Sequence, residues 1–84
     1  MNFILKSNLC FMQETDSIIL KKIGDKVREI RLQKKLTQKE LAFDLDIEIS
    51  QITRIETGKI NTSILNLFKI AKALEVDIKE LFNF

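Results

Sequence analysis

Leu36-Thr37-Gln38-Lys39-Glu40-Leu41-Ala42-Phe43-Asp44-Leu45-Asp46-Ile47-Glu48-Ile49-Ser50-Gln51-Ile52-Thr53-Arg54-Ile55-Glu56 is the stretch that decides the fold. Thr37 stands three residues before Glu40, the spacing of a capping box. In that motif the Thr hydroxyl takes the Glu backbone N–H and the Glu carboxylate takes the Thr backbone N–H. It opens a short helix whose Leu41, Ala42 and Leu45 face inward. Ala42 is small and lets another helix come close. Asp46-Ile47-Glu48 then read as a turn. A further helix follows, with Ile52 and Ile55 inward and Gln51, Thr53 and Arg54 outward. Thr57-Gly58-Lys59 ends it, with Gly58 suited to the left-handed position beyond a helix C-terminus. Two short helices joined by a tight turn, with a small residue in the first and inward aliphatics in the second, form the helix-turn-helix plan over residues 37–56. An ordinary helical bundle would show the same periodicity.

Upstream, Asp16 or Ser17 can cap a first helix in which Ile19, Ile23, Val27 and Ile30 recur at helical spacing. Gly24 lies inside it and marks a bend or a close packing. Cations at Lys34 and Lys35 suit its C-terminal end. Downstream, Asn61-Thr62-Ser63 precede a fourth helix with Ile64, Leu67, Phe68, Ala71 and Leu74 on its inner face. Asp77-Ile78-Lys79-Glu80 repeats the capping-box spacing and starts a short fifth helix carrying Ile78, Leu81 and Phe82. The expected architecture is all-α: a compact five-helix domain over residues 17–84. Residues 1–16 read as an N-terminal extension, apolar over Met1–Met12 but without a clear period. They are either disordered or in need of cover such as a partner chain supplies.

Composition fits this reading. The chain has 84 residues, 45% hydrophobic and 31% charged, with no Pro and two Gly, so helix breakers are scarce. Net charge is only +2, but it is unevenly placed. Residues 20–39 hold eight basic side chains against two acidic ones, whereas residues 40–84 hold five against eight. Such an oriented field steers anionic partners, although a solvated helix face looks the same. Cys10 is the single cysteine and His is absent. No nucleophile–His pair or ordinary zinc site can be assembled, so no catalytic residue, metal, cofactor or small-molecule substrate is expected. No apolar run approaches the roughly 18–20 residues of a membrane span, and a reducing, cytoplasmic setting is expected.

The residues Leu36-Thr37-Gln38, Glu40-Leu41-Ala42, Leu45, Ile47, Ser50, Ile52, Arg54-Ile55-Glu56 and Gly58-Lys59 resemble the lambda-repressor-like, Xre-type helix-turn-helix family. Ile70-Ala71-Lys72-Ala73-Leu74, Val76 and Leu81-Phe82 extend the resemblance, which covers residues 20–84 and not 1–16. It implies a transcriptional regulator of double-stranded DNA, here expected to be a repressor acting as a homodimer on a palindromic operator. The third helix would lie in the major groove, with Ile49, Ser50, Gln51 and Arg54 toward the bases. Gln38, Lys59 and Asn61 would meet phosphates. Arg31 and Glu56 would form a structural salt bridge between the first and third helices. Phe82 and Phe84 are candidate dimer-interface residues, or else fold back on their own core.

The chain departs from the family pattern at several places. Asp46 stands where the family has Gly, and Asp tolerates left-handed geometry. Glu48 replaces the usual Ser or Thr cap and brings negative charge toward DNA. Ile49 replaces a common Gln and can offer a base only apolar contact, such as with a thymine methyl. Phe43 puts an aromatic where a polar residue is usual. These departures leave open a second function: a protein-interaction module, or an antitoxin-like partner, that keeps the fold with weak or no DNA binding. No effector domain fits in these residues. Control is therefore expected from concentration, proteolysis or a protein partner, as suits a restriction–modification controller, a phage-type repressor or an antitoxin.

Overall fold

The computed structural model describes residues 2–84, with side chains from Thr15 onward. The extension residues Phe3, Ile4, Leu5, Leu9 and Phe11, expected to need cover, have side chains outside those described. Helix α1 spans Asn2–Gln33, α2 Gln38–Leu45, α3 Ile49–Glu56 and α4 Ile64–Ala73, and a 3-10 helix spans Ile78–Phe82. Among the described residues there is no strand, so the all-α expectation holds. The first helix does not start at Asp16 or Ser17. It runs unbroken from Asn2, because nothing between them forbids helix: there is no Pro, and a capping residue permits a start without imposing one. The expected fifth α-helix is the 3-10 turn. Asp77 accepts the Lys79 backbone N–H at 3.1 Å, two residues on, so its capping box is not completed.

Ile23, Val27 and Ile30 of α1 meet Leu41 and Ala42 of α2, Ile52 and Ile55 of α3, Leu67, Ile70 and Ala71 of α4, then Leu74 and Leu81, in one core. Val27, Leu41, Ile52, Ile70, Leu74 and Leu81 are wholly buried, each worth roughly 1.5–3 kcal/mol of apolar burial. The pattern misplaces three side chains. Ile19, Ile64 and Phe68, all expected inside, are exposed. In α4 the core instead takes Ile70 beside Leu67 and Ala71, and the helix presents its other apolar edge outward.

The four α-helices among the described residues end the same way. The sixth residue's N–H closes back on the first's carbonyl through a left-handed residue: Leu36 to Arg31 at 3.0 Å, Ile47 to Ala42 at 3.0 Å, Lys59 to Arg54 at 2.8 Å and Val76 to Ala71 at 3.0 Å. The left-handed residues are Lys35, Asp46, Gly58 and Glu75, with φ of 60°, 55°, 70° and 59°. Only one is glycine. The other three carry the steric cost of a Cβ in this region, about 1–2 kcal/mol each. Glu75 is exposed, and Glu75→Gly is expected to stabilise the fold by about 0.5–1 kcal/mol after glycine's own entropy cost. A thermal melt of the variant checks this.

Candidate nucleic-acid interface

The site is built on a chain of polar contacts that joins three helices. Arg31, in the last turn of α1, is 6% exposed, and Glu56, the last residue of α3, is 3% exposed. The guanidinium grips the carboxylate with a two-pronged fork: Nε donates to Oε2 at 2.6 Å and Nη2 to Oε1 at 3.1 Å. Arg31 Nη1 donates to the Leu36 carbonyl at 2.8 Å, which secures the loop before α2. Glu56 Oε1 also accepts from Gln38 Nε2 at 3.0 Å. Gln38 Oε1 in turn accepts from the Thr53 hydroxyl at 3.1 Å. Among the described residues no buried side-chain polar atom lacks a partner, so the desolvation cost of these charges is met by hydrogen bonds as well as by attraction.

Both glycines of the chain lie where α1 crosses the C-terminal end of α3. A Cβ on Gly24 would strike the Ile55 carbonyl oxygen and sit 2.7 Å from that of Glu56. A Cβ on Gly58 would sit 2.8 Å from the Lys21 Cα. The two backbones therefore touch, and the close packing that Gly24 suggested fixes the height of α3 on the core.

The N-terminus of α2 is closed by its capping box. Thr37 Oγ1 accepts the Glu40 N–H at 3.0 Å, and Glu40 Oε1 accepts the Thr37 N–H at 3.0 Å. The Thr37 backbone N–H, and after it the Thr37 hydroxyl, hold the Glu40 carboxyl below its ordinary value. Because the pKa is lowered, this contribution is present above the ordinary carboxylate range and is lost as pH falls through the lowered value. The backbone N–H groups of Gln38 and Lys39 find no acceptor among the described residues, leaving an anion-seeking end.

Helix α3 turns Ile52, Ile55 and Glu56 into the protein. Ser50 and Arg54, one turn apart, share the face directly opposite. Ile49 and Thr53 lie on the flank toward α2, as the Thr53–Gln38 bond requires, and Gln51 lies toward α4, over a groove it lines with Ile47, Ile60 and Asn66. All five are exposed, and the side chains of Ser50, Gln51 and Arg54 make no hydrogen bond among the described residues. Glu48 occupies the cap position without a side-chain hydrogen bond, in keeping with its poor capping chemistry. Asp46 takes the left-handed position expected of it. Lys59 and Asn61 are exposed on the loop after α3.

The sequence pattern points Gln38 at a phosphate but does not record its tie to Glu56 and Thr53. The Thr53–Gln38 bond spans fifteen residues and two helices, so no periodicity records it. Phe84 has its ring 5.5 Å from Lys22 Nζ, a cation–π contact back onto α1, while Phe82 lines an open apolar groove of about 340 Å³ with Ile19, Ile23 and Ile64. Among the described residues no cluster could hold a metal, and no helix is long and apolar enough to cross a membrane.

The family model described as Helix-turn-helix (HTH_3) matches residues 27–81, which include α2, α3 and the whole polar chain from Arg31 to Glu56. The chain belongs to the Xre-type helix-turn-helix family. Family members are DNA-binding transcriptional regulators rather than enzymes, and this chain is such a regulator. It is 47% identical over 62 residues to Control protein C.BamHI of Bacillus amyloliquefaciens, covering 73% of this chain and 76% of that protein. It is 35% identical over 63 residues to Control protein C.MunI of a Mycoplasma species, covering 74% and 85%. The crystal structure of the restriction-modification controller protein C.AhdI from Aeromonas hydrophila superposes with a TM-score of 0.72 at 40% identity, covering 75% of this chain and 96% of that one. In this Xre-type chain α2 and α3 are the helix-turn-helix, and α3 is its second helix.

Proposed function

We propose that this protein is a controller-type regulator that binds a palindromic duplex as a homodimer, with one α3 in the major groove of each half-site. The observation that carries this reading is the outer face of α3. Among the described residues Ser50 and Arg54 stand unpaired on it, directly opposite the core, while Arg31, Glu56 and Gln38 hold the helix from behind. Its relatives, named as control proteins and restriction-modification controllers, point to the same role.

Arg54 suits a guanine and Gln51 an adenine, Ser50 serves either, and Ile49 packs on a thymine methyl. Gln38 and the open N–H groups of α2 take one phosphate, and Lys59 and Asn61 take others. Control is by occupancy of a promoter in the cytoplasm, with repression the simplest outcome and no small molecule required. The dimer surface favoured here includes α4, where Ile64, Leu65 and Phe68 are 70%, 63% and 52% exposed, and continues to Phe82. This shifts the weight away from Phe84, which is engaged by Lys22.

Selection of binding sites from a random duplex pool tests the reading. The expected product is a palindrome with half-sites about 34–36 Å apart, centre to centre. Arg54→Ala is expected to lose about 1–3 kcal/mol of discrimination at one base pair per half-site, whereas Lys59→Ala weakens all sequences alike. Uniform loss from Arg54→Ala would show that Arg54 touches only backbone. Leu65→Glu is expected to sediment as a folded monomer with reduced affinity for the palindrome; an unchanged dimer would move the interface elsewhere. Failure to enrich any duplex would favour the protein-interaction reading suggested by Glu48 and Ile49.

A further inference from the structure

We propose that Thr53 is a positioning residue for phosphate binding: its hydroxyl locks the Gln38 side-chain amide in the one orientation that leaves an N–H free for DNA. This rests on the phosphate role given above to Gln38.

The orientation follows from donor and acceptor inventory. The Glu56 carboxylate, gripped by Arg31 on both oxygens, only accepts hydrogen bonds. Gln38 must therefore turn its amide nitrogen to Glu56 Oε1, at 3.0 Å, which sends its carbonyl oxygen the other way. There the Thr53 hydroxyl meets it at 3.1 Å. The amide nitrogen carries two hydrogens and Glu56 uses one. The second belongs to the first residue of α2, where the backbone N–H groups of Gln38 and Lys39 are also open.

Thr53 has one hydroxyl proton and two acceptors in reach. The second is the Ile49 carbonyl at 3.3 Å, one turn back along α3. If the proton goes there, Gln38 Oε1 loses its donor and the amide is held at one end only. The shorter bond, to Gln38, keeps both ends fixed. Thr53 sits on the base-reading helix and Gln38 at the tip of the other, so the bond sets where α3 stands relative to the bound phosphate. A phosphate contact positions a protein without reading sequence, so loss of Thr53 acts on every duplex alike.

The test is fluorescence anisotropy on two labelled duplexes, one carrying the selected site and one a scrambled site. It compares Gln38→Ala, Thr53→Val, Thr53→Ser and the Gln38→Ala/Thr53→Val double variant. Thr53→Val is expected to bind both duplexes about fivefold more weakly, the cost of immobilising the freed Gln38 side chain on binding, with a melting temperature lowered by no more than a few degrees. Thr53→Ser keeps the hydroxyl and is expected to bind like the parent. In the Gln38→Ala background, Thr53→Val is expected to add nothing. An additive loss in the double variant, a loss confined to the selected duplex, or full affinity of Thr53→Val would each overturn the proposal while leaving Gln38 at the phosphate. Full affinity of Gln38→Ala would overturn the phosphate role itself.

Discussion

Glu56→Ala is expected to cost the fold about 3–5 kcal/mol, a large part of the roughly 5–15 kcal/mol that holds a domain together. The loss comes from what stays behind. Without the carboxylate, the Arg31 guanidinium remains buried with two donors unanswered, and Gln38 Nε2 loses its acceptor. Urea unfolding reads it as a lower midpoint at unchanged slope. Replacing both partners separates the cost of an orphaned charge from the worth of the pair. Arg31→Met with Glu56→Leu fills the site with apolar groups and is expected to recover most of the stability. It does not restore Gln38's partner, so DNA binding stays weak in a well-folded protein. A Glu56→Ala variant that unfolds with the parent would show that the pair carries little.

Gly24→Ala is expected to destabilise by about 3 kcal/mol, although Ala is the better helix former by about 1 kcal/mol. Sign is the point of the experiment. An exposed helical glycine gains from the change, whereas here the new methyl meets the backbone carbonyls of Ile55 and Glu56, and backbone cannot rotate away as a side chain does. Relief requires α1 and α3 to separate. That also stretches the Arg31–Glu56 fork, so DNA affinity is expected to fall with stability. Thermal melting and duplex binding of the one variant check both, and a stabilised Gly24→Ala would place the α1–α3 crossing farther apart than described.

The frame was legible because it is local. The capping box at Thr37, the left-handed turn at Asp46, the C-terminal glycine at position 58 and the inward Leu41, Ala42, Ile52 and Ile55 are each written within a few residues of one another. Fine orientation was less legible. Ile64 and Phe68 satisfy a helical period, but so do Ile70 and Leu67, and only the position of α4 on the core decides which edge is buried. The start of α1 escaped because a good cap at Asp16 or Ser17 does not stop a helix from running through it. For the site, spacing and family likeness brought out Ser50, Gln51, Arg54, Arg31 and Glu56, whereas Thr53 depends on a contact between helices that sequence spacing does not encode.

The central claim is that the outer face of α3 reads a duplex whose phosphates are held by α2 and the loop after α3. Its most direct measurement is the affinity for the selected duplex and a scrambled one, titrated with salt from about 50 mM upward. The expected result is a steep linear fall of log K with log salt for both, with the selected duplex about a thousandfold or more tighter. Absence of binding at about 50 mM salt, or equal affinity for the two duplexes, would contradict it.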